Sequence, residues 1–120
     1  MSDASVAAAV AGCFAVVNAV SLYVERGNQT FHSMHVDAAA RVANHSRAAG
    51  VKRLAHVSGI GADARSHSAY IRSRGEGEAA VRAALPAATI IRPAVMFGPG
   101  DAFLDPLIAM LRMFSGLSDV

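Results

Sequence analysis

Arg53-Leu54-Ala55-His56-Val57-Ser58, followed after a loop by Tyr70-Ile71-Arg72-Ser73-Arg74, is the stretch whose reading decides the fold. The first part is a short apolar run ending in a serine, the pattern of a buried strand. The second places a tyrosine and a cation four residues apart, on one face of a helix. Working outward, Gly50 closes a long helical segment beginning near Thr30, with Thr30 as its N-cap. Before that, Phe14 to Val20 reads as a continuous apolar strand, preceded by a short helix that Asp3 or Ser5 can cap and Gly12 can close. Downstream, a helix from about Ser68 to Ala84 is stopped by Pro86, and Ala88 to Pro93 forms a third strand. A last helix spans about Phe103 to Phe114, with Asp101 near its start. Strand, helix, strand, helix, strand implies right-handed crossovers and parallel neighbours.

Composition agrees with one globular unit. The 120 residues are 53% hydrophobic and 17% charged, apolar for a free-standing domain, as if some surfaces await neighbours. A net charge of +2 with scattered arginines shows no basic stripe, which argues against nucleic-acid binding. The single cysteine, Cys13, excludes an internal disulfide and offers no thiolate cluster for a metal. Val6 to Val24 is uncharged and long enough to raise a membrane span, and Val10-Ala11-Gly12-Cys13 resembles a lipoprotein cleavage box. The segment before it carries Asp3 and no Lys or Arg, so no export signal is read, and the run divides into a helix end and a buried strand.

Three segments in order resemble the short-chain dehydrogenases of the extended and atypical kind. Gly50 to Ser58 resembles the helix end, strand and serine that precede the active-site helix. Tyr70 to Arg74 resembles that helix's Tyr-x-x-x-Lys pair, with Arg in place of Lys. Ala88-Thr89-Ile90-Ile91-Arg92-Pro93-Ala94-Val95-Met96-Phe97-Gly98-Pro99-Gly100-Asp101 resembles the next strand and its loop. The pattern from Ser68 through Glu78 is similar to the atypical branch containing the NAD(P)H-binding accessory subunit of respiratory complex I.

The resemblance implies an α/β fold: a partial Rossmann-like three-layer sandwich with parallel strands, one domain over residues 1–120. It implies NAD or NADP as cofactor of the parent protein. Tyr70 would be the catalytic proton donor or acceptor, with Arg74 holding the ribose. Asn18, Ala19 and Val20 would lie against adenine and ribose, Val57 and Ser58 would end the second strand beside the cofactor, and Pro93, Ala94 and Val95 would face the nicotinamide. Asn18 reads equally as a turn-forming strand end, and Arg92 as a strand-edge cation.

Two departures shape the functional expectation. Dinucleotide folds cradle the pyrophosphate on a Gly-rich turn at a helix N-terminus; the sequence contains no such turn, so it reads as the middle of a larger protein, and the chain alone is expected to bind the cofactor weakly or not at all. Gly59 stands where extended members usually carry a second serine, and an Arg, with its planar fork, is no neutral replacement for Lys. The expected function is NAD(P)H binding of the complex I accessory type with weak or absent catalysis. The alternatives are an active oxidoreductase or sugar-nucleotide epimerase using Tyr70, or a structural membrane-associated assembly module. Expected partners are the dinucleotide and respiratory-complex or membrane-associated proteins; the expected location is cytoplasmic, with a peripheral position at the inner face of a membrane left open. His32, His35 and Asp37 raise a metal site, but helix periodicity points Asp37 away from both histidines, so none is expected.

Overall fold

Strand pairing brings the quoted stretch to the centre of the molecule. In the computed structural model, which describes residues 2–96, 98–100 and 104–115, β1 (Ala15–Asn18), β2 (Arg53–Val57) and β3 (Thr89–Ile91) form one parallel sheet in the order β1-β2-β3. Val16 lies beside Leu54, and His56 beside Ile90. This is the Rossmann-like α/β arrangement.

Around the sheet run α1 (Asp3–Val10), α2 (Ala38–Ala48), α3 (Ala69–Ala84) and α4 (Leu104–Ser115). Local chemistry explains their ends. Ser2, rather than Asp3 or Ser5, caps α1, because its hydroxyl accepts from the Ser5 N–H at 3.2 Å. Thr30 and Ser33 cap each other: Thr30 Oγ1 accepts from the Ser33 N–H and Ser33 Oγ from the Thr30 N–H. Ser68 caps α3, and Gly50 ends α2 in the left-handed region at φ 71°. The expected start of the last helix at Phe103 and the role of Asp101 lie outside the described residues.

A wider helical turn of the π type, Ser33–Asp37, leads into α2. Its i to i+5 bonding brings Asp37 Oδ1 to 3.5 Å from His32 Nε2, which corrects the expectation that Asp37 points away from both histidines as regards His32. His35, within this turn, points inward and is 2% exposed.

Helices α1, α2 and α3 cover one face. Val6 and Val10 of α1, Val42 and Ala43 of α2, and Val81 and Ala84 of α3 close on Val51 and Leu54, with Val16 and Ile90 packed against them. Each fully buried Val or Leu contributes about 1.5–3 kcal/mol. Alternation along the strands puts Val17 and Ile91 on the opposite face, where they are 68% and 44% exposed. Within the described residues the sheet thus carries helices on one side and an open apolar surface on the other.

The strands are shorter than the sequence suggests, but pairing continues past them. The Ser58 N–H donates to the Ile91 carbonyl at 2.8 Å and the Ile60 N–H to the Pro93 carbonyl at 3.0 Å. Pro93, with no N–H of its own, is held by its carbonyl. These two bonds place the Ser58–Gly59 corner beside Pro93 and Ala94, at the carboxyl end of the sheet.

Candidate functional site

A cleft of about 520 Å³ opens at that end. Of the residues expected at a site, the fold brings Ala19, Val57, Ser58, Tyr70, Arg74, Pro93 and Ala94 to its walls, together with Ser21, Tyr23, Gly59, Ile60 and Met96. Three do not join them. Asn18 is buried behind the sheet end, where its Oδ1 accepts from the Val20 N–H at 3.2 Å and its Nδ2 contacts His56 Nδ1 at 3.2 Å, so its amide serves the turn. Val20 faces two other hollows, one against α1 and one against the start of α2. Val95 is 57% exposed on the loop after β3, outside the cleft wall.

Arg74 organises the cleft. It is 5% exposed, reaching from α3 across the end of β2. Its Nη2 donates to the Tyr70 hydroxyl at 3.1 Å and to Ser21 Oγ, and its Nη1 to the Val57 carbonyl at 3.3 Å. The guanidinium carbon also lies 5.3 Å from the Tyr70 ring centre. A lysine could not make this fork, so Arg74 ties three segments at once. Its Nε is buried without a hydrogen-bond partner.

Aromatic rings surround Tyr70. Tyr23 stacks on it at 6.1 Å, while Phe31 and His35 meet it edge-on, each at 5.5 Å. His35 is pushed down to about 4 by burial and then by the Arg74 charge, which outweigh its bond to Leu22. Burial and Arg74 also lower His56. Both imidazoles are therefore neutral at pH 7.

Ser58 is 4% exposed, and its hydroxyl lies beside the Glu78 carboxyl, which it helps hold below its ordinary value. Glu78, 1% exposed, accepts from Arg92 Nε at 2.8 Å and Arg92 Nη2 at 2.7 Å, and from Arg82 Nη1 at 3.3 Å. Burial opposes its charge, yet the Arg92 pairing holds the carboxyl below its ordinary value. Arg92 is thus a clamp between β3 and α3 and not a wall of the cleft. Among the described residues, no group of three or more His, Cys, Asp or Glu side chains is arranged to hold a metal ion.

Two glycines that sequence reasoning passed over complete the frame. A Cβ on Gly77 would fall inside contact distance of the His35 carbonyl oxygen, and one on Gly75 would collide with the backbone at Asp63 and Ala64. Glycine in a helix interior costs about 1 kcal/mol relative to alanine, so two in one turn of α3 were the available signal.

The chain is similar to known proteins over most of its length. A family model described as NAD(P)H-binding matches residues 1–100. The chain is 39% identical over 90 residues to NADH dehydrogenase (ubiquinone) 1 alpha subcomplex subunit 9, mitochondrial, of Mus musculus, covering 75% of this chain and 24% of that protein. It is 34% identical over 88 residues to the NADH-ubiquinone oxidoreductase 40 kDa subunit of Neurospora crassa, covering 73% and 24%. To the ceramide reductase of Caulobacter vibrioides it is 39% identical over 90 residues, covering 75% and 28%. It therefore spans about a quarter of the length of these relatives. A solved dTDP-4-dehydrorhamnose reductase from Clostridium acetobutylicum superposes with a TM-score of 0.67 at 20% identity, over 83% of this chain and 41% of that one, a likeness of fold. No helix of the described residues is long and apolar enough to cross a membrane. The match over residues 1–100, on a Rossmann-like sheet with its cleft at the strand ends, makes this chain a member of the NAD(P)H-binding family.

Proposed function

We propose that the cleft takes the nicotinamide end of NADH or NADPH, in a protein of the complex I accessory kind whose own catalysis is weak or absent. The observation that carries this reading is the Tyr70–Arg74 pair, set beside Pro93 and Ala94 at the carboxyl ends of parallel strands, where such sheets bind ligands. The volume lies in the range of small-molecule sites. When bound, the dinucleotide supplies the hydride. Tyr70 and Arg74 would hold the ribose, Ala19 and Val57 would flank it, and Pro93 and Ala94 would face the ring. Asn18 and Val20 would support the adenine side, and Val95 the loop over the nicotinamide.

Weak catalysis follows from Gly59, which has no side chain to move a proton, and from an Arg74 already engaged with Ser21 and Val57. Weak binding by these residues alone follows from the lack of a Gly-rich turn for the pyrophosphate. Association with respiratory-complex or membrane-associated proteins, at a cytoplasmic or inner-face location, belongs to the same reading. An active oxidoreductase is the second reading, favoured by the 3.1 Å contact that leaves the Tyr70 hydroxyl in the cleft beside a permanent cation.

Fluorescence titration with NADH tests the binding reading, on this chain and on a version lengthened upstream by a strand and Gly-rich turn. This chain should not saturate below about 100 µM, and the lengthened one should bind in the micromolar range and weaken at least about tenfold on Arg74→Met. Micromolar binding by the shorter chain would remove the need for the turn; indifference to Arg74→Met would remove the cofactor from this cleft.

A further inference from the structure

We propose that His35 is a positioning residue of the cleft: its imidazole latches residues 20–23 onto α3, so that Ser21 and Tyr23 are held against Arg74 and Tyr70. The latch deepens the dinucleotide reading, since it shapes the wall on which that reading rests.

The hydrogen bonds fix its chemistry. Leu22 contributes a backbone N–H, which can only donate, so His35 Nε2 accepts at 3.1 Å and carries no proton. The ring proton therefore sits on Nδ1 and goes to Ser73 Oγ at 2.9 Å, and the Ser73 hydroxyl donates in turn to the Tyr70 carbonyl at 2.9 Å. One chain of bonds, running in one direction, links the loop after β1 to the turn of α3 that bears Tyr70. Phe31 stacks on the outer side of His35 at 5.8 Å, and Gly77 lets α3 approach the His35 carbonyl, so the ring has little freedom. On the far side of the latch, Ser21 accepts from Arg74 and Tyr23 lies on Tyr70.

Charge surroundings keep the latch in its accepting form. The groups facing His35 are Arg74 and Tyr70 on α3 and His56 on β2, and burial together with the Arg74 charge holds its pKa at about 4. Protonation would put a hydrogen on Nε2 against the Leu22 N–H and release the segment.

The chain has two tyrosines, both at this site, and no tryptophan, so its near-ultraviolet circular dichroism reports the latch directly. Compare wild type, His35→Leu and His35→Gln; glutamine can both accept from Leu22 and donate to Ser73. His35→Leu should speed hydrogen exchange at the Leu22 amide by about tenfold or more and diminish the tyrosine band, with the Leu54 amide unchanged. His35→Gln should stay within about threefold of wild type. On acidification from about pH 6 to 3.5, wild type should lose Leu22 protection beyond the intrinsic rate change, and His35→Gln should not. Unchanged exchange and tyrosine signal in His35→Leu, or an equal acid step in His35→Gln, would overturn the proposal. If His35→Leu does not fold, the acid comparison of the other two decides. These readouts need no cofactor: an intact latch in a lengthened protein that fails to bind NADH would reject the dinucleotide reading and leave the latch standing.

Discussion

Arg92 grips Glu78 with two near-parallel hydrogen bonds, Nε to Oε1 at 2.8 Å and Nη2 to Oε2 at 2.7 Å, across the gap between the end of β3 and the middle of α3. The carboxylate is buried and the guanidinium half exposed, so the pair is worth most to the side that cannot reach water. Glu78→Ala should cost roughly 2–4 kcal/mol in urea unfolding, below the full range for breaking a buried pair because Arg92 can re-enter solvent.

The same pair sets an acid dependence. Because the folded carboxyl lies below its ordinary value of 4.5, its contribution is complete above that pH and fades as the pH falls through the lower folded value. His35 acts in the same direction over a higher window: lowered from 6.5 to about 4, it stays neutral in the fold while the unfolded chain takes up a proton, so stability falls as the pH drops from 6.5 towards 4. Urea midpoints should fall in two stages on acidification. In His35→Gln the upper stage should shrink, and in Arg92→Leu the lower one; a midpoint flat from pH 7 to about 4 would contradict the His35 environment.

Gly77→Ala separates helix propensity from packing. Propensity alone forecasts a gain of about 1 kcal/mol. The added methyl would instead meet the His35 carbonyl, a backbone atom that cannot swing aside, so a net loss of about 2–4 kcal/mol is expected in denaturant unfolding. Gly59→Ala, with open space at its Cβ and no left-handed φ, should be nearly neutral. Equal effects at the two positions would mean that α3 does not rest on the wide turn as described.

Short-range features of this fold were legible in the sequence. Thr30, Gly50 and Ser68 declare their helix ends through bonds to residues a few positions away, and the apolar run around Leu54 needs no distant partner to be read as a strand. The cleft was legible through the order of strand ends, which brings Val57, Ser58, Pro93 and Ala94 together with Tyr70 and Arg74. What escaped depends on contacts between elements far apart in the chain. Arg92 meets Glu78 only once β3 is registered on β2, and Gly77 meets His35 only because a wide turn shifts the helical phase. Asn18 was undecided for the same reason, since its His56 partner lies on the neighbouring strand.

The open face of the sheet predicts association. Val17 on β1 and Ile91 on β3 lie on the side no described helix covers, and both strands are sheet edges. Sedimentation of the 120-residue chain should show mixed oligomers that give way to monomer in Val17→Lys/Ile91→Lys. A single monomeric species of the unmodified chain across about 10–200 µM would mean that this face tolerates water.

Tyr70 decides between binding and catalysis. Its hydroxyl faces the cleft and accepts from Arg74 at 3.1 Å, but the same guanidinium nitrogen also bonds Ser21, and the neighbouring Gly59 contributes no proton-handling group. Arg74 can therefore orient the phenol and a ribose without forming the relay that proton transfer with hydride transfer requires. In the lengthened protein, Tyr70→Phe should leave NADH affinity within a few-fold, because the ring and its stack on Tyr23 remain, and hydride transfer to quinones, carbonyls or nucleotide sugars should be low before and after the change. An active site would behave differently: loss of its general acid or base should lower the rate by roughly 10²-fold or more. Robust wild-type turnover that collapses in Tyr70→Phe would replace the binding role with an enzymatic one.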